Sequence, residues 1–439
     1  MSSFRAIAQV VLRLEPILLV IMVYAFWYPY ESRVWSLLVL LPLGAARLIV
    51  YRRLFTRTPL DVALLVFLAL CVVNVFTAPY TRGLIMLGRP IMGIALAYSA
   101  IEAARRSGSM SGLTRLTLGM GILLGIIALT TSQWTYKSYH LMFLVNPLPD
   151  WRGLPVITGG FNVNEIAGAL TWLTVFAAAI AIYAWRLPAS ENPTLPRAAA
   201  TAAFGLLLFA MFLGQSRFAI FGTILALALV IVALIPSGRW RWAALAALAA
   251  FTFLEIVVFT GFLIPEGEVN AERDEESISS RVDIWGSAAA MMRDYPLTGI
   301  GMSMYRDPRV RALYPVRGFE DRVLPHAHNE LFQVGADLGV PGLAIFIVWH
   351  GILGWMLWPS WRRGDSFARA VAAGCAGGLL AHAFFGLGDA ITLWDRFTFL
   401  YWWMVGLTAA QYTVVALPVG EERRTLRLQN KNEAKIEIA

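Results

Sequence analysis

Two histidines spaced two apart, in Pro325-His326-Ala327-His328-Asn329-Glu330, are the residues of this chain best suited to moving a proton. Imidazole is the side chain that changes charge near neutral pH. The pair closes an interval, residues 264–339, that holds eight arginines and no lysine. Guanidinium is permanently charged and its planar fork matches phosphate geometry. Arginine beside imidazole therefore suits a phosphate-bearing substrate and a proton acceptor. Asn329 through Leu338 reads as a helix running into Gly339, which puts His328 at the helix N-terminal end. There the helix dipole disfavours imidazolium and keeps the ring neutral, the state a general base needs. His326 and His328 could instead bind zinc, but no third ligand of suitable spacing follows them in the sequence. No metal and no cofactor is expected. The isolated His140, His350 and His382 read as structural.

Two arginines stand apart from the rest. Gly214-Gln215-Ser216-Arg217-Phe218 places Arg217 between two apolar segments with almost no loop. A cation at that depth has a partner or a ligand, unless it snorkels to lipid phosphate. Arg281 falls in the first turn of a helix that Ser279-Ser280 would cap and Tyr295-Pro296 would end. Exposed N–H groups in a first turn favour an anion. The competing reading is an interfacial arginine on an amphipathic helix, whose Ile284, Trp285, Ala288, Met291 and Met292 share one face. Gly299-Ile300-Gly301 lacks the third glycine of a dinucleotide fingerprint and reads as a turn. The acidic run Glu266–Glu276 has no metal-ligand spacing and reads as a solvated linker.

The elements that must position these residues are membrane helices. Apolar residues make up 58% of the chain and charged residues 15%, with a mean hydropathy of +0.63. Such a balance excludes an ordinary soluble domain. Candidate spans of suitable length are Leu12–Tyr28, Val34–Val50, Leu60–Thr77, Leu84–Ile101, Leu113–Thr131, Glu165–Trp185, Ala198–Leu213, Phe218–Ile235, Trp240–Leu263, Val340–Trp358, Ala368–Leu387 and Phe397–Leu417. The seventh and eighth could form one interrupted hairpin.

The expected fold is an all-α polytopic bundle of about twelve transmembrane helices. Residues 1–263 carry nine helices, 264–339 form a large helical external loop, 340–417 carry three more helices, and 418–439 form a cytoplasmic tail. With the N-terminus inside, 21 basic residues fall on the cytoplasmic side against 7 in or near the short external segments. The positive-inside rule then puts both termini in the cytoplasm and the arginine loop outside. The net charge of +8 is explained by that distribution and calls for no nucleic-acid partner. Cys71 and Cys375 lie mid-span, away from any disulfide or metal role, and no cleavable signal is visible.

Taken in order, Gly214-Gln215-Ser216-Arg217, Ser280-Arg281 with Ile284-Trp285, Pro296 to Gly301, His326 to Leu331 and Leu338-Gly339 with Gly342-Leu343 resemble the O-antigen ligase and polymerase superfamily of bacterial envelope glycosyltransferases. By motif the resemblance covers about 214–342, and by topology the whole chain. It implies a GT-C-like inverting glycosyltransferase of the bacterial inner membrane, with its active site on the periplasmic face and no metal or nucleotide. The implied partners are undecaprenyl diphosphate-linked O-antigen, lipid A–core oligosaccharide and membrane lipids. Carried over by position, Arg217 and Arg281 would bind the diphosphate and His328 would activate the acceptor hydroxyl. His326 and Asn329 would contact substrate. An O-antigen polymerase, a protein O-oligosaccharyltransferase and, from a different class, a secondary transporter are the alternatives.

Overall fold

A computed structural model describes residues 2–25, 37–78, 82–134, 141–153, 160–188, 197–259, 278–319 and 324–417. The acidic run, His140 and the tail lie outside them. Among the described residues the chain is helical, with one isolated β-bridge between Ser132 and Phe161. The helices are α1 (Ser2–Ala25), α2 (Leu40–Tyr51), α3 (Asp61–Thr77), α4 (Arg82–Ser107), α5 (Ser111–Thr131), the short α6 (Met142–Val145), α7 (Val163–Arg186), α8 (Arg197–Gly214), α9 (Arg217–Leu234) and α10 (Arg239–Phe259). After these come α11 (Ile278–Asp294), α12 (Pro308–Leu313), α13 (Glu330–Arg363), α14 (Ser366–Phe385) and α15 (Thr398–Ala416).

A helix occupies the described part of every expected span. Among the described residues seven helices, α5, α7, α8, α9, α10, α13 and α14, are long and apolar enough to cross a membrane. The segments expected as a possible interrupted hairpin are two full helices, α8 and α9, separated by Gln215 and Ser216. Helix α7 is the hub: it packs on α14, α8 and α9 and is buried along most of its length. Small residues let its neighbours close in. A Cβ on Gly378 of α14 would lie 2.5 Å from the Trp172 carbonyl oxygen, so the two backbones touch there. Large apolar side chains such as Phe76, Trp240 and Trp242 point outward from the bundle, as lipid-facing positions do.

Residues 278–319 and 324–336 form a lobe with its own small core, built from Ile284, Ala288, Met291, Ile300, Met304, Tyr305, Val310 and Ala336 among others. The amphipathic helix expected at 281–294 is α11, which packs against α13, and Ile284, Ala288 and Met291 of its apolar face belong to this core of the lobe. The loop arginines divide by role. Arg309 pairs with Asp307 at 3.0 Å, and Arg311 is buried over the Tyr305 ring with Nη1 donating to Ser287 Oγ at 3.1 Å. Arg311 is thereby tied into the lobe, whereas the Arg309 pair is local and Arg309 itself largely exposed.

Helix α13 is broken at Gly339, whose φ of 71° and ψ of −173° belong to a region open only to glycine. The break has a precise backbone cause. Val340 N donates to Pro296 O (2.8 Å), not to Ala336 O, and Pro341 has no N–H to offer Asp337 O. The two stranded carbonyls are taken up by the glycine turn: Ile300 N donates to Ala336 O at 2.8 Å and Gly301 N to Asp337 O at 3.2 Å. Asn74, at the end of α3, completes the joint. Its Nδ2 donates to Asp337 O (3.0 Å) and Thr298 O (2.8 Å), and its Oδ1 accepts from Met302 N at 2.7 Å.

An alanine at position 339 would take up a forbidden φ and set its Cβ 2.6 Å from Pro296 O. Gly339→Ala should therefore lower stability by about 1–3 kcal/mol. Gly351→Ala, whose Cβ would meet nothing within 4 Å, should not lower the melting temperature. Thermal unfolding of both detergent-solubilised variants checks this, and an unchanged melting temperature for Gly339→Ala would contradict it.

Candidate functional site

The two histidines sit on the approach to α13. His328 has a φ of 47°, a left-handed backbone that non-glycine residues adopt rarely and that recurs at functional positions. Three contacts fix the loop. Trp285 Nε1 of α11 donates to His328 O at 3.2 Å. His328 N donates to His326 Nδ1 at 3.3 Å, and Ala327 N donates to Gln333 Oε1 at 2.7 Å. Gln333 Nε2 in turn donates to Asp337 Oδ2 at 2.7 Å. The rings stand edge to face with centroids 4.4 Å apart.

Asn329, expected at the substrate, uses both ends of its amide in the fold. Its Oδ1 accepts from Leu331 N and Phe332 N as the N-cap of α13, and its Nδ2 donates to Leu387 O at 3.2 Å. Glu330 adds two further ties to the same segment. Its N donates to Gly386 O (2.7 Å), and its Oε2 accepts from Thr392 N (3.2 Å). The His-Asn-Glu run thus clamps the connection between α14 and α15.

That connection carries Asp389, which sequence reasoning missed. Its Oδ1 lies 3.2 Å from His326 Nε2 and 3.7 Å from His328 Nδ1, and the residue is buried. The available signal was Gly386-Leu387-Gly388-Asp389, an acidic residue in a short turn between two spans. Nothing in the sequence linked it to histidines some sixty positions earlier.

Arg217, Arg281 and Asp389 line one cleft, together with Asn164, Phe218 and Gly388. Arg217 is the first residue of α9 and Ser216 is its N-cap. Arg281, from the first turn of α11, has its guanidinium carbon 5.0 Å from the centroid of the Phe218 ring, a cation–π arrangement. Gly388 makes room for that ring, since a Cβ there would lie 2.2 Å from it. Four of the five residues expected to act on substrate therefore gather in one place, two arginines in the cleft and two histidines on its carboxylate. His382 and His350 lie elsewhere in structural contacts: His382 stacks on Trp172 at 3.7 Å and meets Thr392 Oγ1 at 3.0 Å, while His350 meets Phe346 O at 2.7 Å.

Residues 202–347 match the family model described as O-antigen ligase. The chain carries an O-antigen ligase-family domain. No curated protein matches the chain. The matched segment, about a third of the chain, includes Arg217, Arg281, His326 and His328, whereas Asp389 and Asn164 reach the cleft from outside it.

Asp389 also corrects the expectation that the histidines have no third ligand. His326, His328 and Asp389 each offer an atom within 4.8 Å of the others, a three-donor set of the kind that can hold a zinc ion with an open fourth position. Arginines in the adjoining cleft already supply positive charge, so the protein purified without added metal should contain no stoichiometric zinc by inductively coupled plasma mass spectrometry. One zinc per chain, lost in Asp389→Ala, would make the cluster a metal centre.

Proposed function

We propose that this chain transfers O-antigen polysaccharide from undecaprenyl diphosphate to lipid A–core oligosaccharide by metal-independent, inverting glycosyl transfer. Its placement would be the bacterial inner membrane, with the cleft on the periplasmic face and both termini cytoplasmic. The observation that carries the proposal is the single cleft in which Arg217 and Arg281 meet the Asp389 carboxylate that both histidines face. The family match supports the reaction class.

In this reading the donor's diphosphate lies against Arg217 and Arg281. An oxygen of the acceptor hydroxyl attacks the anomeric carbon on the face opposite the diphosphate. The bond from that carbon to the diphosphate oxygen breaks in the same step, which inverts the centre. The leaving group departs with its bonding pair, and the guanidinium pair stabilises the charge that develops on it. The hydroxyl proton passes to His328. With Nδ1 turned to Asp389, its Nε2 is the basic atom, and the carboxylate stabilises the imidazolium that forms. His326, closer to Asp389, orients that carboxylate. Diphosphate is already a good leaving group, so positioning two bulky lipids and balancing charge are the main tasks.

A polymerase would use the same machinery with a second lipid diphosphate as acceptor. Lipopolysaccharide gels from a deletion strain separate the two: loss of the entire ladder is expected, and a surviving single-repeat band would indicate polymerisation. In a purified two-substrate assay, His328→Ala should reduce transfer by about 10²- to 10⁴-fold, the usual range for a general base, with donor binding retained. Near-normal transfer by His328→Ala, together with loss in His326→Ala, would exchange their roles.

The lysine variants Arg217→Lys and Arg281→Lys keep the charge and lose the two-pronged contact. Each should lose most activity, and wild-type rates in both would remove the arginines from the diphosphate site. Transfer should also survive excess EDTA.

A further inference from the structure

A second cleft lies where α4 meets the start of α15. Arg89 and Gly93 line it from α4, and Asp395, Arg396, Thr398 and Trp402 from the other side. None of these residues has a part in the chemistry above. Its floor is built of buried polar groups. Thr398 is 6% exposed and Trp402 1%, yet Thr398 Oγ1 and Trp402 Nε1 have no hydrogen-bond partner. Gly93 admits the indole, because a Cβ at that position would lie 2.3 Å from Nε1.

The charges have a consistent sign. Burial pushes the Asp395 carboxyl up, but a hydrogen bond with Glu165 and the guanidiniums of Arg396, Arg89 and Arg306 outweigh it and hold Asp395 below the usual carboxylate range. Arg396 also pairs with Glu165, Nε to Oε1, at 2.7 Å. Among the side chains that line the cleft, two arginines face one carboxylate, so positive charge is in excess there.

The unused hydrogen bonding of the floor is the Trp402 indole N–H, which can only donate, and the Thr398 hydroxyl, which can donate or accept. The guanidiniums of Arg89 and Arg396 in the lining can likewise only donate. Asp395 is the charged acceptor of the lining, and cations already hold it. A ligand matched to this cleft carries negative charge and several acceptor oxygens, which is the chemistry of a phosphate group. The cleft also adjoins the first one along α7: Glu165 reaches Arg396, and its chain neighbour Asn164 lines the Arg217–Arg281 cleft.

We infer that the Arg89–Arg396 cleft is a second anion site, which receives a phosphate group of the acceptor lipid while the first cleft holds the donor diphosphate. The inference rests on the glycosyl-transfer reading above, since it assigns the cleft to that reaction's second substrate. A reaction that joins two lipid-anchored saccharides at one surface needs both headgroups held at once. Two adjacent cationic clefts supply that.

The test uses the full chain in phosphatidylcholine nanodiscs, with intact and enzymatically dephosphorylated lipid A–core as acceptors. Arg89→Gln and, separately, Thr398→Val and Arg396→Gln are compared with wild type. Loss of a charge-assisted hydrogen bond should raise the KM for the phosphorylated acceptor by about tenfold or more in Arg89→Gln, with donor KM within about twofold of wild type. Arg89→Lys should recover part of the loss, and the dephosphorylated acceptor should no longer distinguish wild type from variant. A rise in donor KM instead, or an equal defect with both acceptors, overturns the inference.

If Arg89→Gln does not fold, judged by its melting curve, the Thr398→Val and Arg396→Gln variants decide by the same criteria. If wild type transfers to neither acceptor, the glycosyl-transfer reading fails by itself. The anion site is then decided by native mass spectrometry of the same nanodiscs. Preferential retention of phosphorylated lipid A–core, lost in Arg89→Gln, sustains it, and equal retention of both forms, as for a cleft that holds only water, overturns it.

Discussion

Two backbone carbonyls, those of Ala336 and Asp337, set the geometry on which the site depends. In a continuous helix they would accept from residues 340 and 341. Here Val340 turns its N–H to Pro296 and Pro341 has none to give, so both carbonyls must find donors elsewhere or remain buried and unsatisfied at a cost of a few kcal/mol each. The Gly299–Gly301 turn and the Asn74 amide supply those donors. A local fault in one helix is thereby converted into the joint that fastens the lobe to the bundle. The glycines are required because a Cβ on Gly299 would lie 2.3 Å from the Asp337 backbone carbon. Backbone satisfaction, more than side-chain packing, sets the height of the lobe above the membrane helices.

From that joint the site is assembled by short steps. Gln333, one turn before Asp337, reaches back to the amide between the two histidines. Asn329 and Glu330, beside them, hold the segment that carries Asp389. Trp285 brings α11 against the same loop, and with it Arg281. Arg217 arrives independently at the start of α9. The family segment therefore contributes the cations and the histidines, while the carboxylate that joins them comes from the turn after α14.

Much of this was legible in the sequence. Hydropathy places the helices because a membrane leaves the backbone few alternatives. Arg217, Arg281, His326 and His328 were each marked by an unusual charge or spacing in an apolar chain. Sequence could not show which charges face one another. Arg311 looks like Arg281 on paper, and only the fold separates the arginine tied into the lobe from the one that reaches the cleft. Asp389 was hidden because its partners lie two membrane helices away along the chain. Asn329 belonged to the right motif, but in the fold it serves as a cap and a clamp.

The two unequal parts of α13 deserve a mechanical description. The stretch before Gly339 is joined to the lobe by its carbonyls and side chains, and the stretch after it runs through the bundle. Although the chain is continuous, the first nine residues behave as the lobe's foundation and the rest as its anchor. The Gln333 carboxamide is the gauge block between them: one end sets the histidine loop, the other the residue at the break. Arg217, mounted on a different helix, is not adjusted by that gauge. The distance between proton acceptor and cation is thus a tolerance held jointly by two separately supported parts, and a side chain that need never meet a substrate fixes one half of it.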